Sequence, residues 1–123
     1  MTVRSGHGHL GGSLSCVEIL VSLFFDILRD DDVFILSKGH AASALYAVMA
    51  LKGIISENEL QMFCQKNSRL EGHPTTKVPG VIVNTGSLGN GLGIACGIAL
   101  AKKLKNESGR VFVLMSDGEL YEG

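Results

Sequence analysis

The order of predicted elements places this chain in the α/β class, as a three-layer arrangement in which helices flank a mainly parallel sheet. Short apolar runs with the length of buried strands alternate with longer helical segments. A glycine-rich turn follows one such run and leads into a helix, and another apolar run comes after that helix. Strands that alternate with helices in this way favour a parallel sheet.

Length and composition limit the classes of protein to which the chain can belong. Its 123 residues suffice for one domain, and we treat 1–123 as a single unit. Apolar residues make up 46% of the chain and charged residues 19%, which is typical of a globular protein. The formal net charge of −1 predicts no binding to nucleic acid or to an anionic membrane.

The cysteines and the most apolar segment bear on location. Cys16, Cys64 and Cys96 form no paired pattern, so neither a disulfide framework nor a zinc site is predicted. The segment from Cys16 to Leu28 is too short and too polar to span a bilayer. We therefore expect a cytoplasmic protein with no membrane partner.

The individual elements are predicted from capping residues and apolar runs. A capping box over Ser15–Glu18 opens a largely buried helix to about Leu28, and a second box at Ser56 and Glu59 opens a helix to about Gln65. Two further helices run from Ser37 to Lys52 and from the glycine-rich turn to about Leu104. The predicted strands cover 33–36, 81–83 and 110–115, and the predicted loops cover 1–12 and 66–80.

Two polar clusters follow predicted strands directly, where parallel sheets bind their ligands. His40 lies beside a predicted helix start, whose amides attract anions and whose neighbouring imidazole can donate to a phosphate. The ordinary alternative is a surface histidine behind the N-cap residue Ser37. Asp117 and Gly118 follow the last strand, where a carboxylate suits a Mg²⁺ ion that bridges phosphates. The alternative there is a plain Asp-Gly turn.

Other polar residues carry weaker signals when they are taken alone. His9 and His73 lie in predicted loops and, taken singly, are ordinary loop residues. The glycine-rich turn at 86–93 also fits the outline of a dinucleotide site, but Ile94 or Cys96 stands where the third glycine of GxGxxG belongs. An NAD-binding module therefore remains an alternative.

Taken together, these segments resemble the transketolase family in both order and spacing. The amino-acid sequences of segments 37–41 and 85–89 are most similar to those of the N-terminal subunit of split bacterial and archaeal transketolases. Leu10 stands where the family pattern has proline, and Ser116 where it has the first glycine of GDG. The segments that carry the resemblance are GHLGGSLS at 8–15, SKGHA at 37–41, GHP at 72–74 with PGV at 79–81, TGSLGNGL at 85–92 and SDGELYEG at 116–123.

The resemblance implies roles around a thiamine diphosphate cofactor and a Mg²⁺ ion. Asp117 would be a Mg²⁺ ligand, and Gly118 would pack close to the diphosphate. His40 would contact the diphosphate as well. Gly86 and Leu88 would support the cofactor through backbone contact and packing. The implied unit is thus part of the thiamine-diphosphate-binding domain, truncated at both ends.

The resemblance also implies a substrate, a reaction and partners. His9 and His73 would face a sugar phosphate and assist proton movement around its hydroxyls, and Glu122 would join an acidic network that links paired active sites. The implied reaction transfers a two-carbon ketol unit between sugar phosphates. It would require a complementary C-terminal domain or subunit and a homo-oligomer, in which sites form between chains. A non-catalytic remnant is the remaining alternative.

Overall fold

The computed structural model describes residues 1–122, which form two strands and five α-helices joined by shorter helical turns. The strands pair in parallel from Val33 opposite Val111 to Leu36 opposite Leu114, so both end at the same level. This confirms the predicted α/β class and the parallel pairing. The elements are α1 (Thr2–Ser5), α2 (Leu10–Leu14), α3 (Val17–Ser22), β1 (Val33–Leu36), α4 (Ala42–Leu51), α5 (Asn90–Lys105) and β2 (Val111–Leu114).

Helix α4 forms the centre of the hydrophobic core. All but two of its residues, Ala47 and Leu51, are buried. The helix predicted from Ser37 to Lys52 is confirmed in its body and its end, but the α-helix begins only at Ala42. Leu20 of α3 and the strand residues Leu36 and Leu114 belong to the same core. Helices α2 and α3 pack against α4, and α5 packs against the sheet. The small side chains of α4 let the surrounding elements approach it closely.

An ion pair joins the beginnings of the two strands. Asp32 accepts from the Arg110 backbone N–H at 2.6 Å and from Arg110 Nη2 at 2.6 Å, and Nη2 also donates to the Ile27 carbonyl at 2.8 Å. These bonds, led by those from the Arg110 side chain, hold the pKa of Asp32 well below its usual range. The pair thus ties the beginnings of the two strands together.

The predicted strand at 81–83 is wrong. Among residues 1–122 the segment has no ladder partner, and the Val81 N–H instead closes a turn onto the Val78 carbonyl at 3.1 Å. A run of β-branched residues becomes a strand only where a neighbouring strand offers a free edge in register. Here the chain passes the sheet without pairing, while Val81 packs against the core through its side chain.

The first predicted helix differs in its start, its end and its burial. Ser15 makes no capping box, because its hydroxyl donates to the Gly12 carbonyl at 3.0 Å, and Cys16 takes the N-cap position without a side-chain bond. The helix continues as a π-helical segment, Leu23–Ile27. Leu20 and Leu23 are buried, but several large apolar side chains are exposed: Ile19, Val21, Phe25 and Ile27.

The remaining segments agree with prediction in part. The capping box at Ser56 and Glu59 is confirmed, although it opens a 3-10 helix, Glu57–Met62, rather than an α-helix. The predicted loop at 1–12 contains α1 and the start of α2. Within residues 1–122, no helix combines the length and the apolar character that crossing a membrane would require.

We predict that Leu20→Ala destabilises the fold by about 2–5 kcal/mol, because the side chain is fully buried and its loss leaves a cavity in the core. The control Leu104→Ala removes the same atoms from a side chain that is 75% exposed and should change stability by about 0.5 kcal/mol or less. Urea unfolding of both variants measures the difference. Equal effects would contradict the assignment of Leu20 to the core.

Candidate functional site

The candidate site lies at the carboxyl ends of the two parallel strands. The Ser37 N–H, just past β1, donates to the Leu114 carbonyl at the end of β2 at 2.9 Å. The segment 37–41 therefore begins beside the segment that follows β2. Gly39 brings a third segment into contact, because a Cβ there would lie 2.8 Å from the Thr85 carbonyl carbon. Three of the polar segments singled out in the sequence thus meet at one edge.

Three histidines from separate segments converge at this edge. His9 is the N-cap residue of α2, His40 lies in the 3-10 helix Gly39–Ala41, and His73 lies in the loop after 66. The ring centroids of His9 and His40 are 5.5 Å apart, and those of His9 and His73 are 6.5 Å apart. His9 and His73 are exposed, while His40 is half-buried. The edge thus carries two exposed imidazoles and a third that is less accessible to solvent.

Close packing holds these rings in place. A Cβ on Gly12 would lie 2.6 Å from His40 Cδ2, so only glycine leaves room for that ring. A Cβ on Gly86 would lie 3.2 Å from His73 Cδ2, which places the predicted site residue Gly86 directly against His73. The Tyr46 hydroxyl of α4 donates to the His73 carbonyl at 3.3 Å. The core helix therefore helps to fix the loop that carries His73.

His40 has an electrostatic environment that favours its neutral form. Burial is the main cause that lowers the pKa of His40. The neighbouring basic groups His9, Lys38 and His73 lower it further, while Glu119 opposes them. Lys38 itself is buried, and its Nζ donates to Ser15 Oγ at 2.9 Å. A neutral imidazole has one N–H donor and one acceptor nitrogen, so His40 can donate to an anion without carrying charge.

A buried carboxylate connects the segments through hydrogen bonds. Glu119 is 1% exposed, and its Oε1 accepts from Ser37 Oγ at 2.6 Å and from the Gly89 N–H at 3.0 Å. Its Oε2 accepts from the Ser116 N–H at 2.9 Å. Burial alone would raise the pKa of Glu119, but these hydrogen bonds, with His40 nearby, hold it below the ordinary value of a glutamate. Glu119 is therefore ionised at neutral pH.

The remaining predicted residues line the outer side of the same edge. Asp117 is exposed and precedes the 3-10 helix Gly118–Tyr121, none of whose amides its carboxylate caps. Gly118 has no close neighbour, as a Cβ there would lie 4.0 Å from Ser116 Oγ. Glu122 is exposed and borders a cleft that Leu88 also lines. The cleft ends at the start of α5, which has no side-chain cap.

Sequence reasoning missed three residues that organise the site. The pattern at Ser37 indicates an N-cap residue, yet its buried side chain donates to Glu119. Glu119 lies within a motif but has no predicted role. Lys38 carries no predicted role either, although it is a buried cation beside His40. The sequence marks the segments that contain these residues as motifs, but it does not indicate the role of each residue. The partners of these side chains are distant in sequence, so no local pattern reveals them.

Comparison with known proteins assigns a family to this arrangement. The family described as "Transketolase, thiamine diphosphate binding domain" matches residues 2–123. The chain belongs to the transketolase family. This match confirms the resemblance that the five ordered segments indicate. It also favours thiamine diphosphate over the dinucleotide alternative, for which the glycine pattern is incomplete.

Relatives from bacteria and vertebrates are similar over nearly the whole chain. One subunit of the apulose-4-phosphate transketolase of Phocaeicola vulgatus is 44% identical, over 94% of this chain and 44% of its own length. The human transketolase-like protein 2 is 47% identical, over 99% of this chain and 21% of its own length. The chain thus spans less than half the length of these relatives.

Solved transketolase structures share the fold. The transketolase of Campylobacter jejuni has a TM-score of 0.80 and 28% sequence identity, covering 99% of this chain and 22% of that protein. The Pichia stipitis transketolase complexed with a sedoheptulose phosphate has a TM-score of 0.74 and 27% identity, covering 99% of this chain and 21% of that one. The arrangement of strands and helices is therefore that of this part of a transketolase.

We predict opposite effects for two alanine substitutions in α5. Gly91→Ala places a Cβ in steric overlap with Ser37 Oγ and should destabilise the fold by about 1–3 kcal/mol. Gly93→Ala meets open space and should stabilise it by about 0.5–1 kcal/mol, because alanine favours a helix over glycine. Thermal and urea unfolding measure both. A stabilising Gly91→Ala would contradict the close approach of α5 to Ser37.

We also predict that His40 titrates below the ordinary pKa of a histidine, since burial and nearby positive groups disfavour its charged form. The unfolded chain then takes up this proton before the folded one. The contribution of His40 to stability is complete above the unfolded pKa and is lost as the pH falls toward the folded pKa. Ring NMR, assigned with His40→Gln, measures the titration, and an ordinary or raised value would contradict it.

Proposed function

We propose that this chain supplies the thiamine-diphosphate-binding part of a transketolase that transfers a two-carbon ketol unit between sugar phosphates with the help of Mg²⁺. The observation that carries the proposal is the meeting of His9, His40 and His73 with the segment of Asp117 at one edge of a parallel sheet. Residues 1–123 belong, on this proposal, to one pyrophosphate-binding domain.

The residues at this edge fit an anionic diphosphate. The start of α5 carries backbone N–H groups without a side-chain cap, and such helix starts attract phosphate groups. The Thr85 hydroxyl oxygen is buried beside Gly86 and has no hydrogen-bond partner within residues 1–122. His40 adds a neutral donor. These groups offer donors to a phosphate, with Lys38 as the nearest buried positive charge.

A single Mg²⁺ ion fits the same edge. No group of three or more histidine, cysteine, aspartate or glutamate side chains with the arrangement of a metal site occurs in the described part of the chain. Mg²⁺ bound to a phosphorylated ligand needs only one or two protein carboxylates, because phosphate oxygens and water complete its shell. The exposed carboxylate of Asp117 is suited to that role. Gly118 beside it has no side chain to obstruct the diphosphate.

The chain's own residues would bind and orient rather than break bonds. The electron-sink chemistry is supplied by thiamine diphosphate when it is bound. His40 donates to the diphosphate, and Gly86 and Leu88 support the cofactor by backbone contact and packing. His9 and His73 face the sugar phosphate and exchange protons with its hydroxyls, a task for which exposed imidazoles are suited because they can both donate and accept protons.

The proposal includes partners. Relatives that are themselves named as one subunit of a transketolase support a complementary subunit, and the proposal extends this to a complementary C-terminal domain. The sugar phosphate in the name of these relatives supports the substrate class. Glu122 is exposed beside the cleft at the start of α5, where it can join an acidic network with a second copy in a homo-oligomer. The assembled enzyme is this chain together with the region or subunit that completes a transketolase.

We predict that the assembled enzyme binds thiamine diphosphate saturably in the presence of Mg²⁺ and that Asp117→Asn weakens this binding by at least about tenfold. Loss of an outer-shell partner of a metal already costs roughly 10–100-fold, and loss of a ligand should cost no less. The control Asp26→Asn alters an exposed carboxylate on the π-helical segment and should bind as the wild type does. Isothermal titration calorimetry measures all three proteins.

Two results would contradict the proposal. Absence of saturable, Mg²⁺-dependent binding by the wild-type assembled enzyme would exclude the thiamine diphosphate site. Equal affinities of wild type and Asp117→Asn would remove Asp117 from the metal site while leaving the cofactor assignment in place. A titration with NAD under the same conditions tests the dinucleotide alternative, for which we expect no saturable heat.

A further inference from the structure

The buried carboxylate of Glu119 is the one charged group that bonds to three of the segments at the edge of the sheet, within the part of the chain that the structure describes. Its donors are the Ser37 hydroxyl at 2.6 Å, the Gly89 N–H at 3.0 Å and the Ser116 N–H at 2.9 Å. With 1% exposure, Glu119 has no access to bulk water. A buried carboxylate of this kind is tolerated only when several donors compensate for its lost hydration.

Each donor belongs to a segment with a different proposed task. Ser37 begins the segment that carries His40, and Gly89 is the N-cap residue of α5 and follows Leu88. Ser116 and Glu119 flank Asp117 on both sides, so the turn that presents Asp117 is closed by a bond between its own ends. The carboxylate therefore sets the relative positions of these three segments. Among residues 1–122, no other charged side chain forms hydrogen bonds to all three of them.

We propose that Glu119 is a positioning residue for the diphosphate and Mg²⁺ site, which it serves by fixing the segments of His40, Leu88 and Asp117 relative to one another. This inference rests on the proposed function. Because Glu119 is 1% exposed, it would act through these segments rather than as a ligand of the cofactor. Its effect should therefore be seen in the affinity for cofactor and metal, because preorganised ligands bind with a smaller ordering cost.

Glutamine at this position is a sharp probe, because it keeps the shape and removes one acceptor oxygen. If the amide nitrogen of Glu119→Gln faces Ser116, two donors oppose each other there. If it faces the other side, it opposes the Gly89 N–H, while the Ser37 hydroxyl can reverse its role and accept. In either orientation one part-buried backbone N–H is left without its acceptor.

The experiment compares Glu119→Gln and Ser37→Ala with the wild-type assembled enzyme. Calorimetric titration of thiamine diphosphate at fixed Mg²⁺ reports both the affinity and the number of competent sites. We expect Glu119→Gln to weaken binding by about tenfold to a hundredfold with an unchanged number of sites. Ser37→Ala removes one neutral donor and leaves both backbone bonds, so about threefold to tenfold is expected. Glu18→Gln, on an exposed carboxylate of α3, is the control and should bind as the wild type does.

The number of competent sites separates positioning from mere structural support. A structural lesion lowers that number and leaves the affinity of the remaining sites unchanged, and this result would overturn the inference. Wild-type affinity in Glu119→Gln would overturn it as well. If Glu119→Gln does not fold, wild-type affinity in Ser37→Ala decides against the inference. A wild-type protein that binds no cofactor would instead overturn the proposed function, and the inference with it.

Discussion

The structure depends on the parallel pairing of β1 with β2 in a single register. Asp32 and Arg110 join the strands where they begin, and Ser37 and Glu119 join the segments that leave them. Because Leu36 lies opposite Leu114, both strands end at the same edge of the sheet. The polar segments that follow can then meet at one edge. A shift of register by one residue would separate Ser37 from the turn that contains Asp117 and would turn the core side chains outward.

Glycines and the core helix turn this meeting of segments into a shaped site. Gly12, Gly39 and Gly91 each lie where a Cβ would strike a neighbouring segment, so their absent side chains set how closely the segments approach. Helix α4 supports the arrangement from the core side through the Tyr46 bond to the His73 carbonyl. The close approach of the backbone segments therefore determines the shape of the site, and these segments carry its functional side chains.

Much of the fold was predictable from the sequence because its signals are local. Apolar runs and glycine boundaries located both strands, α4 and α5, and the ordered segments located the histidines and Asp117. The predicted strand at 81–83 failed because pairing depends on an available neighbour, which no local pattern encodes. The Ser37–Glu119 bond spans 82 residues, and the local pattern at Ser37 indicated a helix cap instead. Contacts of this range require the register of the sheet to be known first.

The two-stranded sheet also determines how a preparation of this chain will behave in solution. Within residues 1–122 each strand has one neighbour, so the far side of each carries backbone donors and acceptors with no strand beside them. Such edges template the addition of further strands from any chain that presents one. An isolated preparation is therefore prone to intermolecular sheet growth and precipitation. Low protein concentration is the rational way to handle it.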